Sequence, residues 1–232
     1  MHLNMYRSFF SILFLFVCTV ASAQVDTTKP HSISAIKPLQ RQLRFGIDLS
    51  RPVMNILVNN RHSYEFIVDY NLPKDLYLVL EGGFGGSDID YPDLKYTSTN
   101  AFIKLGVDRS MLQRMFPEDW DLLFVGARYG LGFVNRKEAT FTTNDQFWGS
   151  TTGIVPGDNM TAHWAELTAG IRVELFKGLF TGYTIRGKFL INQGPFRELP
   201  PAYISGYGKG EKNTVFDFNF YLQYAIRWPS KP

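Results

Sequence analysis

The chain is short of cysteine, of histidine and of long apolar runs, and each shortage removes a class of protein. Cys18 is the one cysteine in 232 residues, so no disulfide framework can form within the chain and the fold must be held by its backbone ladder and side-chain contacts. Only four histidines occur, and no motif fixes a nucleophile beside one of them. Beyond the first 23 residues no segment reaches 18 consecutive apolar residues, which excludes helical membrane spans. Charge of one sign is also missing: 24 Lys+Arg stand against 21 Asp+Glu, and so near a balance lends no support to a nucleic-acid partner.

What the chain has in quantity is aromatic side chains, 20 Phe, 12 Tyr and 4 Trp. It also has an export signal at its start. Arg7 supplies a basic beginning, Phe9–Val20 a 12-residue apolar run, and Ala21-Ser22-Ala23 a small-residue cleavage site. The run is too short for a spanning helix, which needs about 20 residues. A lipoprotein reading at Cys18 competes, but Val17 stands where Gly, Ala or Ser usually precedes such a cysteine. Residues 1–23 are therefore expected to be removed. Residues 24–42, with Pro30 and Pro38 and no periodicity, read as a disordered periplasmic lead-in.

The segment Thr214–Trp228 is the most informative. Phe216, Phe218, Phe220, Leu222, Tyr224, Ile226 and Trp228 share one parity, and Asp217, Asn219, Gln223 and Arg227 the other. A period of two sends the sets to opposite faces of one strand, which suits lipid on one side and a polar lumen on the other. Seven further segments alternate in the same way: Leu43–Ser50, His62–Asn71, Leu76–Gly85, Tyr96–Asp108, Asp121–Asn135, Ala162–Phe176 and Leu179–Ile191. Most have the ~9–11 residues that a spanning strand requires. Pro52 ends the first one early.

The connections between them run 11, 4, 10, 12, 26, 2 and 22 residues. Tight turns at Leu72–Asp75 and Lys177-Gly178 alternate with long Gly-, Pro- and Asn-rich loops, as in an even-stranded barrel with both termini inside. Arg109–Trp120 breaks the alternation. There Met111, Leu112, Met115 and Phe116 share a helical face, consistent with a short interfacial helix or, equally, an irregular loop with buried Met and Phe.

The inward parity carries seven basic residues, Arg44, Lys104, Arg128, Arg172, Arg186, Lys188 and Arg227. It carries eight acidic ones, Asp48, Glu65, Asp69, Glu81, Asp108, Glu166, Glu174 and Asp217. Eight strands enclose an interior that side chains fill, and charges confined there must pair. An ion-selective pore would favour one sign or a wider barrel. The strand glycines Gly126, Gly130, Gly132, Gly170, Gly182 and Gly187 are expected to make room for the long Arg and Lys side chains.

Catalytic and metal sites find little support. His31 lies in the lead-in, and His62 and His163 flank strand ends on the outer side. His163 and Glu166, three apart on a strand, face opposite ways. Asp88, Asp90 and Asp93 form an acidic loop cluster without calcium-loop spacing. No catalytic residue, cofactor or metal ligand is assigned.

The phrases Arg44-Phe45-Gly46-Ile47-Asp48-Leu49-Ser50, Phe102–Asp108, Gly126–Gly130 and, most specifically, Ala162-His163-Trp164-Ala165-Glu166-Leu167 resemble an uncharacterised outer-membrane β-barrel family of Bacteroidota, described only as a domain of unknown function. The resemblance spans about Leu43 to Trp228 and brings no activity with it. One departure from outer-membrane proteins in general is that Pro229-Ser230-Lys231-Pro232 follow Trp228, where the assembly signal usually ends on the aromatic.

These readings converge on an all-β protein, an eight-stranded up-and-down antiparallel transmembrane β-barrel over residues 43–228 with a tail at 229–232. The expected setting is the cell outer membrane, with lipid, the barrel assembly machinery and an unknown ligand at the outer loops as partners. The expected role is a closed scaffold displaying loops, of which Arg136–Thr161 and Asn192–Asn213 are the most capable of binding. Two rivals remain: a lipid-modifying enzyme using His62 or His163, and a soluble periplasmic barrel carrying an apolar ligand inside.

Overall fold

The computed structural model describes residues 40–112, 119–145, 147, 149–192, 194 and 199–229. The export signal, nearly all of the lead-in, most of the candidate helix at Met111–Phe116 and the last three residues lie outside them. In chain order the elements are β1 (Gln40–Asp48), α1 (Ser50–Leu57), β2 (Arg61–Asn71), β3 (Leu76–Asp90), β4 (Leu94–Ser110) and β5 (Leu122–Arg136). There follow β6 (Ala139–Asp145), β7 (Gly149–Val155), β8 (Asp158–Phe176), β9 (Leu179–Leu190) and β10 (Thr214–Pro229). Strand begins at Gln40, so three residues expected in the lead-in already belong to the barrel.

Eight of the strands close a ring. Neighbours in sequence pair antiparallel, β5 pairs with β8, and β10 returns to β1 from Gln40↔Pro229 to Asp48↔Tyr221. Closure pairs the strand edges except beyond the end of β1, where α1 lies, and paired edges are the condition for a sheet to sit in lipid. The alternation decides which face goes where. Leu105, Ile185 and Phe218 on the outer wall are 55, 54 and 48% exposed, whereas Arg44, Glu81 and Lys188 inside are fully buried. A soluble barrel holding an apolar ligand needs the reverse arrangement, so that reading is overturned.

The two rims differ as the connection lengths predict. At the turn rim Leu72 N donates to Leu76 O at 2.7 Å, and β8 reverses into β9 through Lys177-Gly178, where φ of +87° at Gly178 is a conformation that glycine adopts without penalty. At the other rim, two expected loops turn out to be strand. Gly86–Lys95 continues β3 and β4 up to a turn at Tyr91–Asp93, closed by Tyr91 N to Leu94 O at 2.9 Å. Arg136–Thr161 contains the β6–β7 hairpin and the start of β8, and the hairpin joins β4 at Leu94↔Phe141 and Lys95↔Thr140. Thr-rich segments such as Ala139-Thr-Phe-Thr-Thr143 have the β-branched content that favours strand over loop, a signal outweighed in the sequence by the surrounding Gly, Asn and Asp.

Candidate functional site

Among the described residues the chemistry lies inside the barrel. Near the turn rim, Arg227 Nη2 meets Glu174 Oε1 at 2.7 Å and its Nε donates to Gln42 Oε1 at 2.8 Å. Its guanidinium lies over the Trp120 and Phe180 rings at 5.0 and 5.5 Å. Deeper in, Arg44 binds Asp69 at 2.7 Å, with Gln223 Nε2 on the other carboxylate oxygen at 2.8 Å. Arg172 reaches Asp108 at 2.7 Å and Asp69 at 3.6 Å, and Arg128 also meets Asp108 at 3.1 Å.

The middle of the lumen is a knot of three carboxylates and three cations. Glu81 is surrounded by Lys104 at 2.6 Å, Arg186 at 2.7 Å and Arg128 at 2.8 Å. Glu65 takes Lys104 at 2.7 Å and the Tyr221 hydroxyl at 3.0 Å. Glu166 takes Arg186 at 2.9 Å and the indole N–H of Trp164 at 2.7 Å. The Arg128 Nη1–Glu81 contact is short but lies off the hydrogen-bond direction, so it is an ion contact only. Towards the loop rim, Lys188 binds Asp217 at 2.6 Å, and the amide of Asn219 binds Asp48.

The structure thus places all fifteen residues singled out in the sequence on the lumen side, with Glu174, Arg227 and Asp217 the partly exposed members. It differs in how they pair. Nearness along β8 points Arg172 to Glu166 or Glu174. Its partners are instead Asp108 on β4 and Asp69 on β2, because tilted strands bring residues of distant strands to one height across the narrow lumen. The glycines also divide. Gly182 lies against the Arg172 chain, but Gly130 and Gly132 make space for the Trp164 indole and Gly187 opens onto the outer wall beside Phe189 and Phe216.

Three lumen contributors are missed by counting charges on the strands alone. Arg51, in α1, points inward and meets Asp217 at 2.6 Å, Asp48 at 3.1 Å and Glu65 at 3.3 Å; it joins the seven cations read from the strands. Its signal in the sequence is the spacing of Val53, Ile56 and Leu57 after Pro52, an amphipathic turn with Ser50 and Arg51 on the other side. Trp164 and Tyr221, both fully buried, sit on the inward parity in plain view.

The second addition is a plug. The connection from β9 to β10, expected to be displayed, folds back into the barrel mouth, where Ile204, Ser205 and Tyr207 are fully buried. Ser205 N donates to Asn100 Oδ1 at 2.9 Å, Asn100 Nδ2 donates to Tyr203 O at 3.1 Å, and Lys188 Nζ donates to Gly206 O at 2.7 Å. Ile204 and Tyr207 pack with Phe102, Val134, Met160, Trp164 and Leu190 into an apolar lid above the charges. Low-dielectric surroundings strengthen each ion pair beneath it.

Among the described residues His62 and His163 are not set beside a nucleophile or an acid. His163 Nδ1 lies 2.7 Å from the Tyr129 hydroxyl, and its backbone N–H donates to Asn192 Oδ1 at 2.7 Å. Among the described residues neither His62 nor His163 meets a serine hydroxyl or a carboxylate, the arrangement an activated nucleophile requires. Asp90 is engaged with Lys95 at 2.7 Å on the surface.

A closed eight-stranded barrel, apolar outside and filled with paired charge inside, is the architecture of the small membrane barrels. The chain belongs to the family described as Domain of unknown function (DUF6048), whose model matches residues 5–231. No curated protein matches it significantly in sequence. Similar solved structures include Neisserial surface protein A (NspA), 9% identical over 82% of this chain and 96% of that one, with a TM-score of 0.36. A major outer membrane protein from Thermus thermophilus is 8% identical over 81% and 98%, with a TM-score of 0.43. The N-terminal beta-barrel domain of Pseudomonas aeruginosa OprF is 13% identical over 82% and 98%, with a TM-score of 0.31.

Proposed function

We propose that the protein is a closed, non-conducting scaffold of the outer membrane, exported by a signal cleaved after Ala23 and inserted by the barrel assembly machinery of a Bacteroidota-type envelope. The observation that carries this reading is the pairing of two opposite surfaces on one wall. Large apolar side chains are exposed on every barrel strand, far beyond the few hundred Å² that soluble proteins tolerate, and the inside holds balanced, buried charge. Aromatic residues towards both rims, Tyr64 and Phe84 at one and Tyr70 and Trp228 at the other, suit the two interfaces of a bilayer. The scaffold presents the β6–β7 hairpin, with Ile154 62% exposed, as its outer binding surface. Its role is structural or binding, without catalysis. Fractionation and gel electrophoresis test the reading: the protein should co-sediment with outer membranes and run faster unheated than boiled. Recovery in a periplasmic wash, with no mobility shift, would refute it.

A further inference from the structure

The barrel wall has a gap. β1 is nine residues long, while its neighbours run further towards the loop rim. The β1–β2 ladder stops at Ile47↔Phe66 and the β1–β10 ladder at Asp48↔Tyr221. Above those pairs Arg61–Glu65 of β2 and Thr214–Phe220 of β10 have no strand between them. Two strand spacings leave an opening about 10 Å wide.

Helix α1 sits in that opening and is held mainly by side chains. Leu49 N donates to Phe220 O at 2.8 Å, and Asp48 Oδ1 accepts Phe220 N at 3.2 Å. On the β2 side one side chain, Asn55, replaces the missing ladder: it donates to Ser63 O at 3.1 Å and accepts Ser63 N at 2.9 Å. Outside, Val53, Ile56 and Leu57 are 55, 79 and 70% exposed, the apolar face of a helix lying at an interface.

Behind α1 is a cavity of about 250 Å³, bounded by Arg51, Asn55, Arg61 and Ser63 on one side and by Tyr203 and Lys209 of the plug on the other. The Ser63 hydroxyl in its wall is buried and has no hydrogen-bond partner among the described residues. A second cavity of about 500 Å³ shares Arg61, Tyr203 and Lys209 and continues along Val58, Ile89 and Leu199. Arg51 is committed to Asp217, Asp48 and Glu65. Arg61 lies over the Tyr203 ring at 5.1 Å and has no carboxylate partner among the described residues, and Lys209 has only a loose, exposed contact with Glu211 at 3.7 Å.

We propose that this cavity binds an anionic membrane lipid that enters sideways between β2 and β10, its phosphate held by Arg61 and Lys209 and its acyl chain lying on the Val53–Leu57 face of α1. The inference rests on the membrane reading above and adds a ligand to it. Two cations beside apolar surface, opening onto lipid through a seam closed by a helix, match an amphiphile better than a free anion, which would have no use for the apolar half.

The test uses the full mature chain refolded in micelles, first checked by its heat-dependent mobility. The probe is phosphatidylglycerol with a diazirine near the head-group end of one acyl chain. Crosslinks should concentrate on residues 50–63 and 203–218, fall about tenfold in R61Q/K209Q, and be absent with the zwitterionic choline analogue. Inorganic phosphate at equal concentration should not compete. Crosslinks spread evenly round the apolar belt, equal labelling by the choline analogue, labelling unaffected by R61Q/K209Q, or full competition by phosphate would each overturn the site. Failure of the site with the mobility shift intact leaves the barrel standing, whereas loss of the shift removes the membrane reading itself.

Discussion

Glu81→Gln should be among the most damaging single-atom changes in this chain. The substitution keeps shape and removes one charge from a position where three cations lie within 2.6–2.8 Å. Breaking a buried pair by removing one partner typically costs about 3–5 kcal/mol. Some of that is recovered, because Lys104 keeps Glu65 at 2.7 Å, Arg186 keeps Glu166 at 2.9 Å and Arg128 keeps Asp108 at 3.1 Å. The lower end, about 3 kcal/mol, is therefore expected. With a urea dependence of about 1–3 kcal/mol/M, the unfolding midpoint in lipid vesicles should fall by roughly 1–3 M, read from loss of the fast-migrating band. Asp90→Asn supplies the control. Asp90 and Lys95 are 2.7 Å apart, as close as the Glu81 pairs, but their side chains are 79 and 63% exposed. Water screens such a pair and it contributes little, so the midpoint should stay put. A double-mutant cycle of Glu81→Gln with Lys104→Gln should show clear non-additivity. Equal small shifts for Glu81→Gln and Asp90→Asn, with an additive cycle, would refute the claim that burial makes these pairs matter.

Phe218→Arg should impair assembly, since Arg on the lipid face costs up to about 2–4 kcal/mol depending on depth, while inward Thr184→Ser is tolerated; equal yields of folded barrel would reverse the assignment of faces. Parity alone would make Asn219→Ser an equally mild control, but the Asn219 amide holds Asp48, so that variant should lower the urea midpoint. Gly130→Ala drives a methyl into the Trp164 indole and should destabilise by about 1–3 kcal/mol, with the loss visible in the same unfolding assay. In planar bilayers the unmutated protein should give no steady open level, and replacing residues 203–208 by a short Gly-Ser turn should not create one, because the ion pairs below the plug remain; ohmic conductance in either would show an open lumen.

The ring of strands and the sorting of side chains are legible in the sequence because both follow from local rules. A period of two reports facing directly, and a two-residue turn such as Lys177-Gly178 leaves a chain little choice but to reverse. Pairing inside the lumen is not legible. Parity says that Arg172 points inward; which carboxylate it meets depends on strand tilt and stagger, quantities that no single segment encodes. Side chains adjacent on β8 therefore look like partners, while the true one, Asp108, stands 64 residues away.

The rim elements stay hidden for a different reason. The plug between β9 and β10 is rich in Gly and Pro, a composition shared by exposed loops, and only its destination separates the two. That destination has a physical cause in the barrel itself. Lys188 lies near the top of the charge column, fully buried, and Asp217, its carboxylate, also serves Arg51. A buried ammonium has three protons to place, and the carbonyl of Gly206 takes one of them. Without the plug that proton and the indole of Trp164 would meet bulk water at the mouth. The same logic seats α1: β1 stops short, Glu65 and Asp217 come to face an opening, and Arg51 closes it electrostatically while Asn55 closes it by hydrogen bonding. Charge buried in the wall thus dictates what must cover each end of it, and the cation that serves both Asp217 and Glu65 lies just past a strand end. Arg51→Met tests that step. It keeps bulk and removes the charge, so Asp217 and Glu65 lose a partner at the seam. The urea midpoint should fall as it does for Glu81→Gln, and diazirine labelling of residues 50–63 should lose its concentration there as α1 loosens. An unchanged midpoint would mean that the seam is held by its hydrogen bonds alone.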